Sequence, residues 1–173
     1  DELEHLFSPL QIGETTVPNR LFVSAHNTNF LDEDPSSFHR WTVLNDRAAH
    51  YHAERARGGF GLIIAGQSQV HPFSGPQRPA AYLEETIPQY ARIADAVHKH
   101  GAKIFMQLNQ NGREKLQSGT DSWEPVMGPS SLPPGVPGSV GELCKAMDLS
   151  DIEALIDGFA LSARNMQRAG FDG

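Results

Sequence analysis

The stretch that decides the fold is Gly58-Gly59-Phe60-Gly61-Leu62-Ile63-Ile64-Ala65-Gly66-Gln67, a short apolar run that ends abruptly in small and polar residues. Two further segments have the same form: Pro18-Asn19-Arg20-Leu21-Phe22-Val23-Ser24-Ala25-His26-Asn27 and Lys103-Ile104-Phe105-Met106-Gln107-Leu108. Segments with helical periodicity lie between the three runs. This pattern is typical of parallel strands that are buried on both faces. In parallel α/β folds, active sites are built where such strands end.

Composition and charge argue against several classes of partner. The 173 residues are 39% hydrophobic and 20% charged, which is normal for a folded protein. The formal net charge of −7 argues against nucleic acid or an anionic membrane as the main partner, because both bind basic surfaces. No apolar run approaches the roughly 20 residues that span a bilayer, and the acidic first residues do not resemble a signal peptide. The single cysteine, Cys144, fits a reducing compartment, so we expect a cytoplasmic protein.

Turn and cap residues divide the chain into an N-terminal hairpin and three strand–helix units. The hairpin is predicted over residues 8–17, with its turn at Gly13-Glu14. Strands are predicted over 21–24, 62–65 and 102–108, and helices over 45–57, 86–98 and 150–168. Asn45 is the predicted N-cap of the first helix, and a capping box, Ser150-x-x-Glu153, is expected to open the third. The stretches 29–37 and 109–148 are predicted as loops.

The order of these elements predicts part of a larger α/β domain. Right-handed crossovers place the three strands side by side in sequence order. Three strands cannot close a barrel, and an eight-fold (β/α) barrel typically takes about 250 residues. A fourth strand is expected to start at Phe171-Asp172-Gly173. We therefore expect residues 1–173 to be the front part of a domain that continues beyond them.

Neutral amides and hydroxyls dominate the predicted carboxyl ends of the strands. The residues there are Ser24, Ala25, His26, Asn27, Thr28, Gly66, Gln67, Ser68, Gln69, Gln107, Asn109, Gln110 and Asn111. They include no carboxylate pair for acid–base catalysis, no nucleophile elbow and no glycine-rich phosphate loop. Such a set suits a neutral, flat, hydrogen-bonding ligand such as a heterocycle. The alternative is that the amides only cap strand ends and tie loops together.

Four candidate residues are also assigned plain roles. His26 is followed by Thr28 where some barrel hydrolases have a second metal-binding histidine, so no metal site is predicted. His50 and His52 lie two apart on a predicted helix and point to different faces, which predicts surface or packing positions. Cys144 lacks an activating pattern of neighbours and is interpreted as an unreactive thiol.

Several longer motifs occur in order along the chain. They are Leu6-Phe7-Ser8-Pro9-Leu10-Gln11-Ile12-Gly13, Pro18-Asn19-Arg20, Arg55-Ala56-Arg57-Gly58-Gly59-Phe60-Gly61-Leu62-Ile63, Ala102-Lys103-Ile104-Phe105-Met106-Gln107-Leu108, Gly112-Arg113 and Ala169-Gly170-Phe171-Asp172-Gly173. With these motifs, nearly the whole chain resembles the N-terminal part of the old yellow enzyme family. These flavin-dependent ene-reductases include 2,4-dienoyl-CoA reductase and trimethylamine dehydrogenase. The resemblance implies an α/β fold, the (β/α)8 TIM barrel. Residues 1–173 would be the N-terminal portion of one FMN-binding barrel domain: the hairpin over the barrel bottom and about three strand–helix units.

The resemblance also implies FMN bound at the carboxyl ends of the strands. The residues that would contact it are Ser24, Ala25, His26, Asn27, Gln67 and Gln107. Asn27 stands where the family usually has Thr or Cys near the flavin O4, and its amide can donate the same hydrogen bond but cannot form the cysteinyl link of some relatives. Gln67 occupies a place where a small residue is common. Gln107 matches the family glutamine that pairs with the pyrimidine edge of the ring.

Parts of the family pattern are altered or lie outside this chain. Many relatives have His-Ala-Gly-Arg where this chain has Gln110-Asn111-Gly112-Arg113. The groups that donate a proton to substrate, and those that hold the flavin phosphate, would follow Gly173. No catalytic residue and no metal ligand is therefore predicted within residues 1–173, and this part alone is expected to be inactive.

Functions from two different classes remain open. The leading interpretation is an FMN-dependent oxidoreductase in which NADH or NADPH reduces FMN, and the flavin reduces an activated alkene or a related electron acceptor. An amine dehydrogenase-like flavoenzyme of the same family is the alternative within that class, and a barrel fragment without cofactor is the alternative outside it. The expected partner is a small-molecule substrate, with no nucleic acid and no membrane, and homo-oligomerisation is left open.

Overall fold

The computed structural model describes residues 3–33, 41–74, 80–112, 127–132 and 144–173. The strands are β1 (Leu10–Ile12), β2 (Thr15–Val17), β3 (Phe22–Val23), β4 (Leu31–Glu33), β5 (Trp41–Leu44), β6 (Leu62–Gln69), β7 (Lys103–Asn109), β8 (Met127–Gly128) and β9 (Lys145–Ala146). The helices are α1 (Asp46–Arg57), α2 (Ile87–His98) and α3 (Leu149–Arg168). Short 3-10 turns lie at Pro72–Ser74 and Glu84–Thr86.

A parallel sheet of β3, β6 and β7, in that order, is the centre of the fold. Phe22 pairs with Leu62, and Leu62 pairs with Lys103, so the three strands begin at the same level. Their carboxyl ends therefore meet at one edge of the sheet. This confirms the prediction that the three strands lie side by side in sequence order.

The helices cover one face of this sheet. Ile63 and Ile104 are fully buried in a core shared with Val97 of α2 and Met166 of α3. On the other face, Phe22 is 57% exposed. On the same face, Leu62 of β6 is only 7% exposed. The prediction of burial on both faces is therefore confirmed for β6 and wrong for β3, in the part of the chain described. Because side chains alternate along a strand, this second face is the one that a closed barrel would fill.

The N-terminal hairpin has the predicted register and lies at the amino ends of the strands. β1 and β2 pair antiparallel, with Ile12 opposite Thr15 across the turn. The Thr15 hydroxyl donates a hydrogen bond to the Asp172 carbonyl oxygen at 3.1 Å. The hairpin is thus attached to the end of the sheet opposite the predicted site.

The N-cap residue of α1 is the predicted one, whereas that of α3 differs from the prediction. The Asn45 side chain accepts from the Arg47 amide at the start of α1, as predicted. The expected capping box at Ser150 and Glu153 is wrong: Asp148 is the N-cap of α3, and it forms the capping box with Asp151. Two overlapping capping-box patterns fit this stretch of sequence. The one formed by Asp148 and Asp151 begins the helix earlier than the one formed by Ser150 and Glu153.

Two short strand pairs occur outside the predicted strands, and β4, β8 and β9 lie in the predicted loops. β4 and β5 form an antiparallel pair, and β8 and β9 form a parallel pair of two residues each. Strands of two to four residues have too few positions to show a readable period.

The last residues lie beside β7. The Asp172 amide donates to the Ile104 carbonyl, and the Met106 amide donates to the Gly173 carbonyl, each at 2.9 Å. This is where the sequence predicts a fourth strand to start. An open groove of about 370 Å³ lies next to it, between β7 and α3. Across the described ranges, no helix is both long enough and apolar enough to cross a membrane.

Candidate functional site

Close approach of two strands shapes the carboxyl end of the sheet. Gly66 of β6 pairs with Gln107 of β7 and has a φ of +133°. A Cβ atom at Gly66 would lie 3.0 Å from the Gln107 Cβ and 3.1 Å from its carbonyl oxygen. Glycine is therefore needed here for both conformation and space. The Gln107 side chain itself is exposed and accessible to a ligand.

A small cavity beneath the strand ends brings together three of the six predicted site residues. It has a volume of about 40 Å³, and its lining includes His26, Asn27 and Gln67. Gln107 does not line it, although Gly66, its partner on β6, and Met106, its neighbour on β7, do. Ser24, exposed, and Ala25, half-buried, belong to the same extended segment as His26. They do not line the cavity.

Two groups hold the His26 imidazole. The Tyr51 hydroxyl, on α1, is hydrogen-bonded to His26 Nε2. His26 Nδ1 lies 3.3 Å from the Ser24 carbonyl oxygen, which can only accept. In the neutral ring, Nδ1 therefore carries the proton and Nε2 accepts from Tyr51. These two bonds fix both the tautomer and the orientation of the ring.

Arg55 stabilises the Tyr51 side of this arrangement. Its guanidinium lies 3.1 Å from the centroid of the Tyr51 ring, and its Nη1 donates to the Tyr51 carbonyl at 2.7 Å. A cation over an aromatic face is an attractive contact. Arg55 and Tyr51, which lie one turn apart on α1, therefore form a connected series of contacts with His26.

Asn27 has its oxygen occupied by its own loop. Its Oδ1 accepts from the Asn29 amide at 3.2 Å, in a turn where Asn29 has a φ of +52°. The Nδ2 group is then what this side chain offers to a ligand. That is the polarity expected of a residue that donates toward a flavin carbonyl.

His52 is a residue of this region that the sequence prediction missed. It lies on α1, is only 5% exposed and lines the same cavity. Burial, followed by the charges of His26 and Arg55, lowers the pKa of His52 to about 4, so the ring is neutral at physiological pH. Its Nδ1 has no hydrogen-bond partner within the described ranges. The available signal was the spacing of Ala48, His52 and Ala56, which places all three on the buried stripe of α1.

Gln110 is a second polar residue at this end with buried, unpartnered atoms. Neither Nε2 nor Oε1 of its side chain finds a hydrogen-bond partner in the portion of the chain described. It follows β7 by one residue. Arg113 lies outside the described residues. Over the same ranges, no group of three or more His, Cys, Asp and Glu could hold a metal ion.

Comparison with known proteins gives a match over almost the entire chain. The family model of the NADH:flavin oxidoreductase / NADH oxidase family matches residues 5–173. The N,N-dimethylglycine/sarcosine dehydrogenase of Chromohalobacter salexigens is 33% identical over 97% of this chain and 23% of its own length. The NADH oxidase of Thermoanaerobacter brockii is 33% identical over 98% of this chain and 25% of its own. The cinnamate reductase of Clostridium sporogenes is 28% identical over 100% and 26%.

A solved structure shows the same fold. The old yellow enzyme homologue from Zymomonas mobilis superposes with a TM-score of 0.79 at 27% identity, over 97% of this chain and 46% of that one. This likeness confirms the predicted (β/α)8 barrel class, of which the chain has the N-terminal hairpin and three strand–helix units. The chain spans about a quarter of the length of the curated relatives above. On the family match and the shared fold, the chain belongs to the NADH:flavin oxidoreductase / NADH oxidase family.

Proposed function

We propose that the intact protein is an FMN-dependent oxidoreductase in which NADH or NADPH reduces the flavin and an activated alkene, or a related acceptor, takes the electrons. The observation that carries this is the set of neutral amides, Asn27, Gln67 and Gln107, at the carboxyl ends of three adjacent parallel strands. Such strand ends are where barrel enzymes build their sites. Bound FMN would supply the hydride chemistry, and the protein would hold and tune it.

The residues present fit a flavin ring. A flavin offers carbonyl acceptors and one ring N–H along its polar edge, so it needs neutral groups that donate and accept. Gln107 is exposed and has both functions in one side chain. Asn27 offers its Nδ2 group as a donor, since Oδ1 already accepts from Asn29.

Each predicted site residue has a role in this proposal. Gln107 pairs with the pyrimidine edge of the flavin, and Asn27 donates toward O4. His26, held by Tyr51, presents a fixed ring edge beside them. Ser24 and Ala25 contribute the backbone of the same segment. Gln67 closes the site from β6, next to the glycine that lets β6 and β7 approach.

We further propose that residues 1–173 are the N-terminal portion of one FMN-binding barrel domain. The open groove beside β7 and the partly exposed second face of the sheet are surfaces that the remaining strands and helices of a barrel would cover. The proton donor for the substrate and the phosphate-binding groups would lie in that remainder. A cytoplasmic location is proposed with it, because the predicted reductant is a cytoplasmic dinucleotide and the only cysteine is a free thiol.

The direct test is whether the purified protein has the yellow colour of bound flavin. The full-length protein is purified and its absorbance recorded before and after denaturation. A yellow protein that releases FMN, and that NADH or NADPH bleaches without oxygen, is the expected result. A colourless protein that FMN cannot reconstitute would contradict the proposal and favour a barrel without cofactor.

A second substrate class is favoured by one relative. The Chromohalobacter protein that is 33% identical over this chain is named for oxidation of N-methylated amino acids. The alternative is therefore an amine dehydrogenase in which substrate, not NAD(P)H, reduces FMN. Anaerobic mixing decides between them: bleaching by sarcosine supports the amine reaction, whereas NAD(P)H oxidation that depends on an added cinnamate or enone supports alkene reduction.

A further inference from the structure

His52 is a buried histidine with a ring nitrogen that has no partner among the described residues. It lies between Ala48 and Ala56 on the side of α1 that faces the sheet, and all three are buried. Most buried polar atoms in folded proteins have a hydrogen-bond partner, either a protein group or an ordered water. No described residue provides one for the His52 Nδ1 atom. The atom therefore needs a partner that the described residues do not supply, and an ordered water is one such group.

The cavity next to His52 limits what that partner is. Its volume of about 40 Å³ exceeds the roughly 10–15 Å³ that one water needs, and it is too small for an organic ligand or a nucleotide. A water in a protein interior also needs two to four polar partners. Asn27 and Gln67 line the same cavity as His52 and have amide groups that both donate and accept.

His52 is suited to bind water rather than an ion. A neutral imidazole has one nitrogen that donates and one that accepts, so Nδ1 can pair with water in either tautomer. Tyr90 also lines the cavity, and its hydroxyl is hydrogen-bonded to Ser68 at 2.7 Å, which fixes that part of the lining. The described residues that line the cavity include no carboxylate and no lysine or arginine to balance an ion's charge.

We propose that this cavity is a water site, in which an ordered water bonded to His52 Nδ1 bridges to the side-chain amides of Asn27 and Gln67. His52 is then a positioning residue: through the water, α1 orients two amides that the proposed function places against the flavin. The part about orientation rests on that proposed function. The water site itself does not.

The first test is a crystal structure of the full-length protein at a resolution that shows ordered water. The expected result is a water about 2.7–3.2 Å from His52 Nδ1 and within the same range of Asn27 or Gln67. An empty cavity, or a protein side chain bonded to Nδ1, would overturn the proposal. This test is independent of flavin, so a colourless protein that still holds the water refutes the function and keeps the site.

The second test uses a matched pair of variants. His52→Asn keeps a polar atom near the position of Nδ1, whereas His52→Leu removes it at similar size. We expect His52→Leu to weaken FMN binding about tenfold and to shift the visible flavin spectrum, with His52→Asn close to the parent. His50→Leu, on the exposed side of α1, is the control and should change neither quantity.

The two variants also separate positioning from simple stability. A lower melting temperature for His52→Leu, with normal flavin spectrum and affinity in the folded fraction, would show that His52 only packs and would overturn its positioning role. If His52→Leu does not fold, His52→Asn decides: the retained water and an unchanged spectrum support the proposal, and a lost water with an unchanged spectrum contradicts it.

Discussion

At the amino ends of the parallel strands, the Asp172 carboxylate accepts three hydrogen bonds. At the carboxyl ends, by contrast, neutral polar side chains have few hydrogen-bond partners among the described residues. Asp172 accepts from Lys103 Nζ at 2.8 Å, from His98 Nε2 at 2.7 Å and from the Ile104 amide at 3.0 Å. Its carbonyl accepts from Thr15 of the hairpin. At the other end, Gln107 is exposed, and Gln110 and His52 have buried atoms without partners among the described residues. The comparison suggests that one end stabilises the fold and the other is arranged for a ligand.

The largest effect on stability is expected from Asp172→Ala. The change leaves the buried Ile104 amide without its acceptor and removes two charge-assisted bonds, so unfolding should become easier by about 2–4 kcal/mol. Denaturant unfolding of the full-length protein measures this. FMN affinity of the folded protein should stay the same.

Two companion variants check the reason for that loss. Asp172→Asn retains one oxygen for the Ile104 amide and should lose less than Asp172→Ala. Asp157→Ala, at an exposed position of α3, should have almost no effect. Equal losses for Asp172→Ala and Asp157→Ala would remove the distinction between the two ends.

The opposite pattern is expected for Gln107→Leu. Because the side chain is exposed in the absence of ligand, stability should change little. FMN binding should weaken by about 1–3 kcal/mol, because the polar edge of the ring is left unpaired. Titration of the apoprotein with FMN measures it, with Gln11→Leu in the hairpin as control. Unchanged FMN affinity in Gln107→Leu would refute the assignment of this residue.

Asn27→Ala should change the flavin's redox behaviour more than its affinity. The Nδ2 group can donate toward the flavin O4, which favours the reduced, more electron-rich ring. Its loss should lower the midpoint potential and slow reduction by NAD(P)H. Spectroelectrochemistry and stopped-flow measure these quantities. The flavin should also be released by acid precipitation, and a flavin that stays on the chain would contradict the non-covalent assignment.

Local signals explain which parts of the fold were predictable. Asn45 before a helical period and Gly58-Gly59 after it predicted α1 within a residue, because caps act on adjacent backbone. The parallel order of β3, β6 and β7 followed from the crossover rule. β4, β5, β8 and β9 were missed because a strand of two to four residues has too few positions to show a period.

The candidate site was predictable only in part. The end of a strand can be recognised in the sequence because an apolar run stops there. His26, Asn27 and Gln67 were found in this way, and the structure brings them together. His52 was judged by its distance from His50, whereas its burial is set by Ala48 and Ala56 one turn away on each side. Tyr51 carries no local sign that it reaches His26, since that contact depends on how α1 packs across the strand end.

A smaller effect is expected from Tyr51→Phe. The ring and its stacking with Arg55 remain, and only the hydroxyl bonded to His26 Nε2 is lost. Stability should fall by about 0.5–1.5 kcal/mol, and the visible flavin spectrum should shift because the His26 ring is freed. Comparing melting curves and spectra separates the two readouts. A normal spectrum with reduced stability would place Tyr51 with the structural residues of the opposite end.

The smallest effect is expected from mild acid, and it should act through the amino ends of the strands. Burial raises the pKa of Asp172, but its hydrogen bonds to Lys103, His98 and the Ile104 amide outweigh this and place it below the ordinary value of 3.8. A carboxyl group whose pKa is depressed by folding stabilises the protein fully above its unfolded pKa, and this contribution is lost as pH falls through the folded one. The free energy of unfolding should therefore decline below about pH 4 in the parent, and less steeply in Asp172→Asn. Parallel slopes for the two proteins would show that acid acts elsewhere, and that the charged end of the sheet owes its stability to neutral hydrogen bonds.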